Sequence, residues 1–147
     1  MSTTFATTTH TSTSTTEAPA RTTPARALWV AGLVSGAVAA VATTVIAAAA
    51  RAADVPLAID SEQIPLLGFA QLTMMGAVIG TVLAVSFNKW ARRPHRTFVV
   101  TTVALTVLSL VPDVIADATT GSKLVLMLTH VVAAAIVVPT LAKRLPA

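Results

Sequence analysis

Four long apolar runs, separated by short polar segments, are the feature that most constrains how this chain can fold. The runs cover residues 27–50, 64–87, 97–115 and 123–142. At about 1.5 Å per helical residue, runs of this length match a hydrocarbon core about 30 Å thick. Only 11% of the residues are charged and the mean hydropathy is +0.78, so a soluble fold would leave apolar surface in water. We therefore predict an all-α membrane protein, an up-down bundle of four transmembrane helices.

The residues before the first run are low in complexity and dominated by Thr and Ser. A segment with so little apolar surface to bury favours disorder, so we predict a disordered cytoplasmic tail over 1–25 and a transmembrane domain over 26–147. An alternative for the first run is a cleaved secretory signal peptide, because small residues at 48–53 resemble a cleavage site. The run is longer than a usual signal-peptide core and its flank is weakly basic, which favours an uncleaved span.

Basic residues predict the orientation of the spans. With alternating spans, eight Lys and Arg side chains fall on one side of the membrane and two on the other. The positive-inside rule then places both termini in the cytoplasm. The loop after the second run holds four of the eight: Lys89, Arg92, Arg93 and Arg96. Because these charges lie between apolar runs and aromatic residues are few, we expect the lipid bilayer as partner and no nucleic acid.

Glycines recur at a spacing of four in the first two runs, as Gly32 and Gly36 and as Gly76 and Gly80. Small residues at this spacing allow the backbones of two helices to approach closely. We therefore predict helix-packing faces at these four positions, formed within the chain or with a membrane-protein partner or second copy.

The third run carries one polar stripe. Thr102, Thr106, Ser109 and Asp113 follow one another at i, i+4, i+7 and i+11, so a helix places all four on one face. A carboxylate in the middle of a span costs about 2.5–3.5 kcal/mol on insertion scales. An ionisable residue inside an apolar span is therefore a functional-site hypothesis.

Depth estimates place one polar side chain from each run at a similar level. Thr44, Gln71, Ser109 and His130 all fall roughly 9–12 Å from the outer face, with Asp113 about one turn further out. Lipid supplies no hydrogen bonds, so we predict a polar belt in which His130 pairs with Ser109 or Asp113. The structural alternative is that hydroxyl groups bond the carbonyl of their own helix four residues earlier.

Several chemistries lack the residues that they require. The chain has no cysteine, a single intramembrane histidine cannot supply both axial ligands of a haem, and zinc-hydrolase spacing is absent. No Gly-flanked serine motif accompanies Ser109, and the first run lacks the carboxylate of small four-helix drug exporters. We therefore predict a non-enzymatic protein with no catalytic residue, no metal and no cofactor.

Four segments together resemble a family of small actinobacterial four-span membrane proteins of unknown function. They are the Arg-Ala-Leu-Trp entry to the first run (26–29), the basic turn (89–96), the Leu-Ser-Leu-Val-Pro end of the third run (108–112), and the fourth run (123–139). The resemblance implies a four-helix bundle in the plasma membrane. It implies no activity and no catalytic residues.

Two functions of different class remain open. Short loops and glycine-rich faces favour a non-enzymatic accessory or interaction subunit of the cytoplasmic membrane. The alternative is a small transporter or proton-coupled carrier that uses His130 and Asp113, because histidine is the side chain that ordinarily changes charge between pH 5 and 8.

Overall fold

The computed structural model describes residues 23–59 and 62–147, which form four helices and a small hairpin. The helices are α1 (Ala25–Ala52), α2 (Leu66–Trp90), α3 (Pro94–Ile115) and α4 (Thr120–Ala142). Between α1 and α2, β1 (Ala58–Ile59) pairs antiparallel with β2 (Glu62–Gln63). All four helices are long and apolar enough to cross a membrane. The predicted all-α, four-span fold is confirmed. Most of the predicted disordered tail, residues 1–22, lies outside the described residues.

Prolines and one threonine define where the helices begin. Pro24 and Pro65 directly precede α1 and α2, and Pro94 is the first residue of α3. Proline suits these positions because the first N–H groups of a helix have no partner within it. Arg93, held out of the helical region by the proline that follows, keeps α2 and α3 separate across a turn of three residues. At the start of α4, the Thr119 hydroxyl accepts a hydrogen bond from the Ser122 N–H at 3.2 Å.

α1 packs most extensively against α2 and α4, while α3 lies across the bundle from α1 and contacts α4 and α2. Two glycines of α1 create the closest approach. A Cβ atom added at Gly32 would lie 1.9 Å from Thr81 Oγ1, and one at Gly36 would lie 2.7 Å from the Ala77 Cβ. Only glycine permits these distances, so both residues lie on the α1–α2 packing face.

The two glycines of α2 do not form a close helix contact within the described chain. A Cβ atom added at Gly76 would meet nothing within 4 Å, and one at Gly80 would meet only Val137 Cγ1, at the ordinary contact distance of 3.9 Å. Both glycines line a cavity between α2, α3 and α4. A packing face toward a partner or a second copy at these positions stays a prediction.

The buried apolar residues form two clusters along the bundle. We call the end that carries the 91–93 turn the turn end, and the end that carries β1 and β2 the hairpin end. The cluster nearer the turn end contains Leu28, Ala31, Ala39, Ala77, Ala84, Phe98, Val137, Leu141, Ala142 and Leu145. The cluster at the hairpin end contains Ala47, Leu57, Phe69 and Leu126. Between them, Thr43 and Thr73 join α1 to α2 through a hydrogen bond of 2.9 Å.

The outward faces of the helices are apolar. Val34 and Val41 of α1, Leu72 of α2 and Val107 of α3 are among many large hydrophobic side chains with more than half of their surface exposed. In water this surface would be an aggregation liability, whereas hydrocarbon solvates it. Together with the length of the helices, it identifies a multi-pass membrane protein.

Both ends of the bundle are covered by ordered chain. At the hairpin end, Leu57 is fully buried and the Ser122 hydroxyl donates to the Pro56 carbonyl, so the segment between α1 and α2 is partly packed against the bundle. At the turn end, the Asn88 amide donates to the Thr23 carbonyl at 2.8 Å, and the His95 N–H donates to the Pro146 carbonyl at 3.2 Å.

Candidate functional site: a cavity between three helices

A cavity of about 620 Å³ lies between α2, α3 and α4. Its lining on α3 runs from Phe98 to Asp113, a length of about 22 Å at 1.5 Å per residue. At the hairpin end, Ile59 and Ile64 from the segment between α1 and α2 close it. The cavity therefore extends over most of the apolar length of α3.

The cavity opens sideways between α2 and α3. Leu72, Ile79 and Leu105 line it and are also exposed at the surface of the bundle, so they form its rim. On the α2 wall, Gly76 and Gly80 contribute no side chains to fill the space. A molecule dissolved in the lipid hydrocarbon could therefore enter without passing through either end.

The polar stripe of α3 forms one wall of this cavity. Thr102, Thr106, Ser109 and Asp113 all line it, and α4 adds Thr129 and His130 to the adjoining wall. The rest of the lining is almost entirely apolar. The cavity thus has one polar side and a hydrocarbon-like remainder, which is the usual character of a small-molecule site.

Each hydroxyl on the polar side donates to a carbonyl of its own helix. Thr102 donates to Phe98 at 2.7 Å, and Thr106 donates to Thr102 at 2.8 Å. Ser109 donates to Thr106 and Thr129 to Leu126, both at 2.7 Å. These bonds match the structural alternative for hydroxyls in spans, since no partner helix is needed.

Asp113 and His130 meet at the edge of the polar wall. The His130 Nδ1 atom lies 3.0 Å from Asp113 Oδ2 and also 3.0 Å from the Leu126 carbonyl oxygen. Helical side chains lean toward the N-terminus of their helix. In antiparallel α3 and α4, Asp113 therefore leans into the bundle and His130 leans toward the hairpin end, which closes the difference in depth between them.

The two contacts of His130 are not equivalent. A carbonyl oxygen only accepts, so the bond to Leu126 requires the tautomer with the proton on Nδ1. Asp113 Oδ2 is buried without an aligned hydrogen bond in the described part of the chain. The Asp113–His130 contact is therefore close but not aligned as a hydrogen bond, which leaves this oxygen open to a donor from a ligand.

The model of a family of unknown function, DUF6069, matches residues 23–147. The chain belongs to this family. No curated protein and no solved structure matches the chain. The matched segment of this DUF6069 protein contains all four helices and the whole cavity, and it omits residues 1–22.

The structure does not bring the whole predicted belt of the DUF6069 chain together. Ser109, Asp113 and His130 line the cavity, but Thr44 does not and instead donates to the Ala40 carbonyl at 2.7 Å. Gln71 is exposed and lies outside the cavity lining. Similar depth is not sufficient for contact, because a residue must also lie on the inward face of its helix.

Helical geometry explains why Thr43 and Thr73 occupy the inward positions instead. At about 100° per residue, Thr43 lies about 20° from Gly32 around α1, whereas Thr44 lies about 120° away. Residues spaced by four shift by about 40° around the helix axis at each step. A series that begins on the packing face therefore leaves it after two steps. The position of the packing glycines on α1 was therefore sufficient to predict that Thr43 faces inward. On α2, Thr73 lies about 200° from Gln71, on the opposite side of the helix.

The four residues of the predicted basic loop lie away from the cavity. They are exposed around the turn end: Lys89, Arg92, Arg93 and Arg96. Lys89 Nζ lies 5.6 Å from the Trp90 ring centre.

Within residues 23–59 and 62–147, no group of three His, Cys, Asp or Glu side chains could hold a metal ion.

Proposed function

We propose that this protein is a small carrier of the bacterial plasma membrane, non-enzymatic and with cytoplasmic termini, that binds a lipophilic molecule between α2, α3 and α4. The cavity of about 620 Å³, with Asp113 and His130 on its wall, is the observation that carries the proposal. Protein interiors are normally filled to crystal-like density, so a bundle with a purely structural role has no use for such a space. The lateral opening at Leu72, Ile79 and Leu105 supports entry from the bilayer.

The bonding of Ser109 supports a non-enzymatic role. Asp113, His130 and Ser109 have the composition of a catalytic triad and line the same cavity. Such a triad requires the serine hydroxyl to bond the histidine nitrogen that does not face the carboxylate. Ser109 donates instead to the Thr106 carbonyl at 2.7 Å, so its proton is directed away from His130.

Filling the cavity tests the proposed function. Because a Cβ atom at Gly76 meets nothing within 4 Å, Gly76→Leu should occupy the space without displacing its neighbours. We expect the wild-type protein in phosphatidylcholine nanodiscs to bind 2-naphthylmethanol or 2-naphthylmethylamine saturably at one site, and Gly76→Leu to lose this binding. The melting temperature of the variant confirms that it is folded. Absence of saturable binding for both probes, or unchanged binding in Gly76→Leu, would contradict the proposal.

A second candidate is an accessory or interaction subunit, in which a helix of a partner or of a second copy covers the opening between α2 and α3. The exposure of Ile79 and Leu105 on the rim favours it. Co-purification after mild solubilisation tests this function. Strictly monomeric protein without a partner in several detergents would exclude it, whereas a stable complex that blocks probe binding would favour it over the carrier.

A further inference from the structure

We propose that the cavity selects lipophilic cations whose charged group donates hydrogen bonds, such as a protonated amine on an aromatic or aliphatic body. This inference rests on the proposed binding function and adds the chemical class of the ligand. It follows from the direction of the hydrogen bonds on the polar wall, the position of Asp113 and the apolar remainder of the cavity.

The hydroxyl protons of the polar wall are already engaged in hydrogen bonds within the helices. Thr102, Thr106, Ser109 and Thr129 each donate to a backbone carbonyl, so toward the cavity they present only acceptor lone pairs. A hydroxyl has a single donor, so it can donate to a ligand only by giving up its bond to the backbone carbonyl.

The hydroxyl of Thr73 on the opposite wall follows the same rule. Thr43 donates to the Ala40 carbonyl at 3.1 Å, so Thr73 is the donor in its 2.9 Å bond with Thr43. Its proton is therefore directed into the α1–α2 contact. All five cavity-lining hydroxyls face a ligand as acceptors.

Asp113 adds a carboxyl group, an acceptor that can carry negative charge, to the same wall. Its side chain is buried, and Oδ2 has no aligned hydrogen bond within the described residues. The His130 Nδ1 atom lies 3.0 Å from Oδ2 but is aligned with the Leu126 carbonyl instead.

A ligand complementary to this wall brings donors and positive charge. An ammonium group has up to three donors and no acceptor, and its bond to a carboxylate is about twice as strong as a neutral hydrogen bond. Among the described residues, an anion would face five hydroxyl acceptors and the Asp113 carboxyl group. The ligand body would lie against apolar side chains such as Leu83, Ala133 and Val137.

Three ligands with the same naphthalene body test the charge preference. We measure equilibrium binding of 2-naphthylmethylamine, 2-naphthylmethanol and 2-naphthoic acid to the full chain in nanodiscs of neutral phosphatidylcholine at pH 7.5, and subtract binding to empty nanodiscs. We expect the amine to bind about tenfold more tightly than the alcohol, in keeping with the strength of charged hydrogen bonds, and the acid not to bind. Equal affinity for amine and alcohol would overturn the proposal.

Asp113→Asn should reduce the affinity for the amine to that for the alcohol and leave the alcohol unchanged. Asp117→Asn is the matched control, because Asp117 is exposed in the segment between α3 and α4 and lies outside the cavity lining. An unchanged ratio of amine to alcohol affinity in Asp113→Asn would overturn the proposal. In that case the proposed function would still be supported if both the alcohol and the amine bind to the wild-type protein and Gly76→Leu abolishes their binding.

A second variant keeps the test valid if Asp113→Asn does not fold. Thr106→Val preserves the shape of the side chain and removes one acceptor from the wall, so we expect a loss of about two- to tenfold in amine affinity. Thr140→Val is its control, since Thr140 donates to the Ile136 carbonyl at 2.7 Å but does not line the cavity. An unchanged amine affinity in Thr106→Val would contradict the acceptor wall.

Discussion

Most hydroxyl groups in the described helices bond their own backbone, and two contacts between side chains join different helices. The cavity hydroxyls of α3 and α4 bond their own backbone, so they add little to helix association. Thr43 and Thr73 connect α1 with α2, and Asp113 and His130 connect α3 with α4. Interhelical polar contacts in membrane proteins contribute about 0.6 kcal/mol on average. Residue-scale stability therefore depends more on close packing than on polar contacts.

We expect Gly32→Ala to destabilise the bundle and Gly76→Ala to leave it unchanged or slightly more stable. The added Cβ at Gly32 would overlap Thr81 Oγ1 at 1.9 Å, and overpacking of this kind typically costs about 1–3 kcal/mol. At Gly76 the new methyl group meets open space. Thermal unfolding in detergent measures both, and the double variant Gly32→Ala/Thr81→Ala should recover part of the loss. Equal melting temperatures for the two single variants would contradict the packing described for α1 and α2.

The contact between Asp113 and His130 can be measured by a double-mutant cycle. Because Nδ1 is aligned with the Leu126 carbonyl and not with the carboxyl group, we expect a modest coupling of about 0.6 kcal/mol, below the maximum of about 1.7 kcal/mol for such pairs. The single variants Asp113→Ala and His130→Ala and their combination are compared by chemical or thermal unfolding in detergent. A coupling near zero, with unchanged melting temperatures, would show that the pair does not stabilise the bundle.

Predictions for single residues agreed with the structure where they depended only on spacing within one helix. The stripe of Thr102, Thr106, Ser109 and Asp113 lies on one wall because their spacing is a property of one helix. The belt that included Thr44 and Gln71 did not form, because it depended on how different helices rotate against one another. That rotation is decided by side-chain packing, which depth and hydropathy do not report.

Among the helices, α3 has the least extensive packing. It is held at the turn end by Phe98, which is fully buried, and at the hairpin end by the contact of Asp113 with His130. Between these points its inner face borders the cavity. The extensive contacts of α1 with α2 and with α4 thus organise the bundle, and α3 is attached to α2 and α4 through smaller contacts.

We expect Phe98→Ala to weaken the attachment of α3 strongly. Replacing a buried phenylalanine with alanine typically costs about 3–5 kcal/mol, since the lost contacts leave a space that the surroundings fill only in part. Leu108→Ala on the same helix is the control, because Leu108 is 63% exposed and does not line the cavity. Unfolding in detergent should show a large loss for the first variant and a change within about 0.5 kcal/mol for the second. Similar losses would mean that Phe98 is not the anchor.

At the scale of the whole molecule, orientation in the membrane depends on charges at the turn end. Lys89, Arg92, Arg93 and Arg96 are exposed there, close to the last residues of the chain. The opposite end carries Arg51 and Lys123, which donate to the Ile64 and Val114 carbonyls at 2.6 and 2.9 Å. By the positive-inside rule, this excess of basic residues predicts that the turn end lies in the cytoplasm.

Single cysteines report this orientation directly, because the natural chain contains none. We expect Asp117→Cys to react with a membrane-impermeant maleimide in intact cells, and Arg92→Cys to react only after the membrane is permeabilised. Both positions are exposed in the bundle, so the difference reflects the side of the membrane. Labelling of Arg92→Cys in intact cells, with protection of Asp117→Cys, would reverse the proposed topology.

The sequence by itself determined the number of spans, the all-α class and the polar stripe of α3. Each of these depends on hydropathy or helical spacing within a short stretch, so local information is sufficient. Only the tertiary structure decided which glycines allow close approach, which hydroxyls turn inward, and that Asp113 meets His130 beside a cavity of about 620 Å³. These features depend on contacts between segments distant in sequence, where a rotation of one helix by a single residue changes every neighbour. The stripe thus specifies a polar face, and the packing of α2, α3 and α4 makes that face the wall of a site.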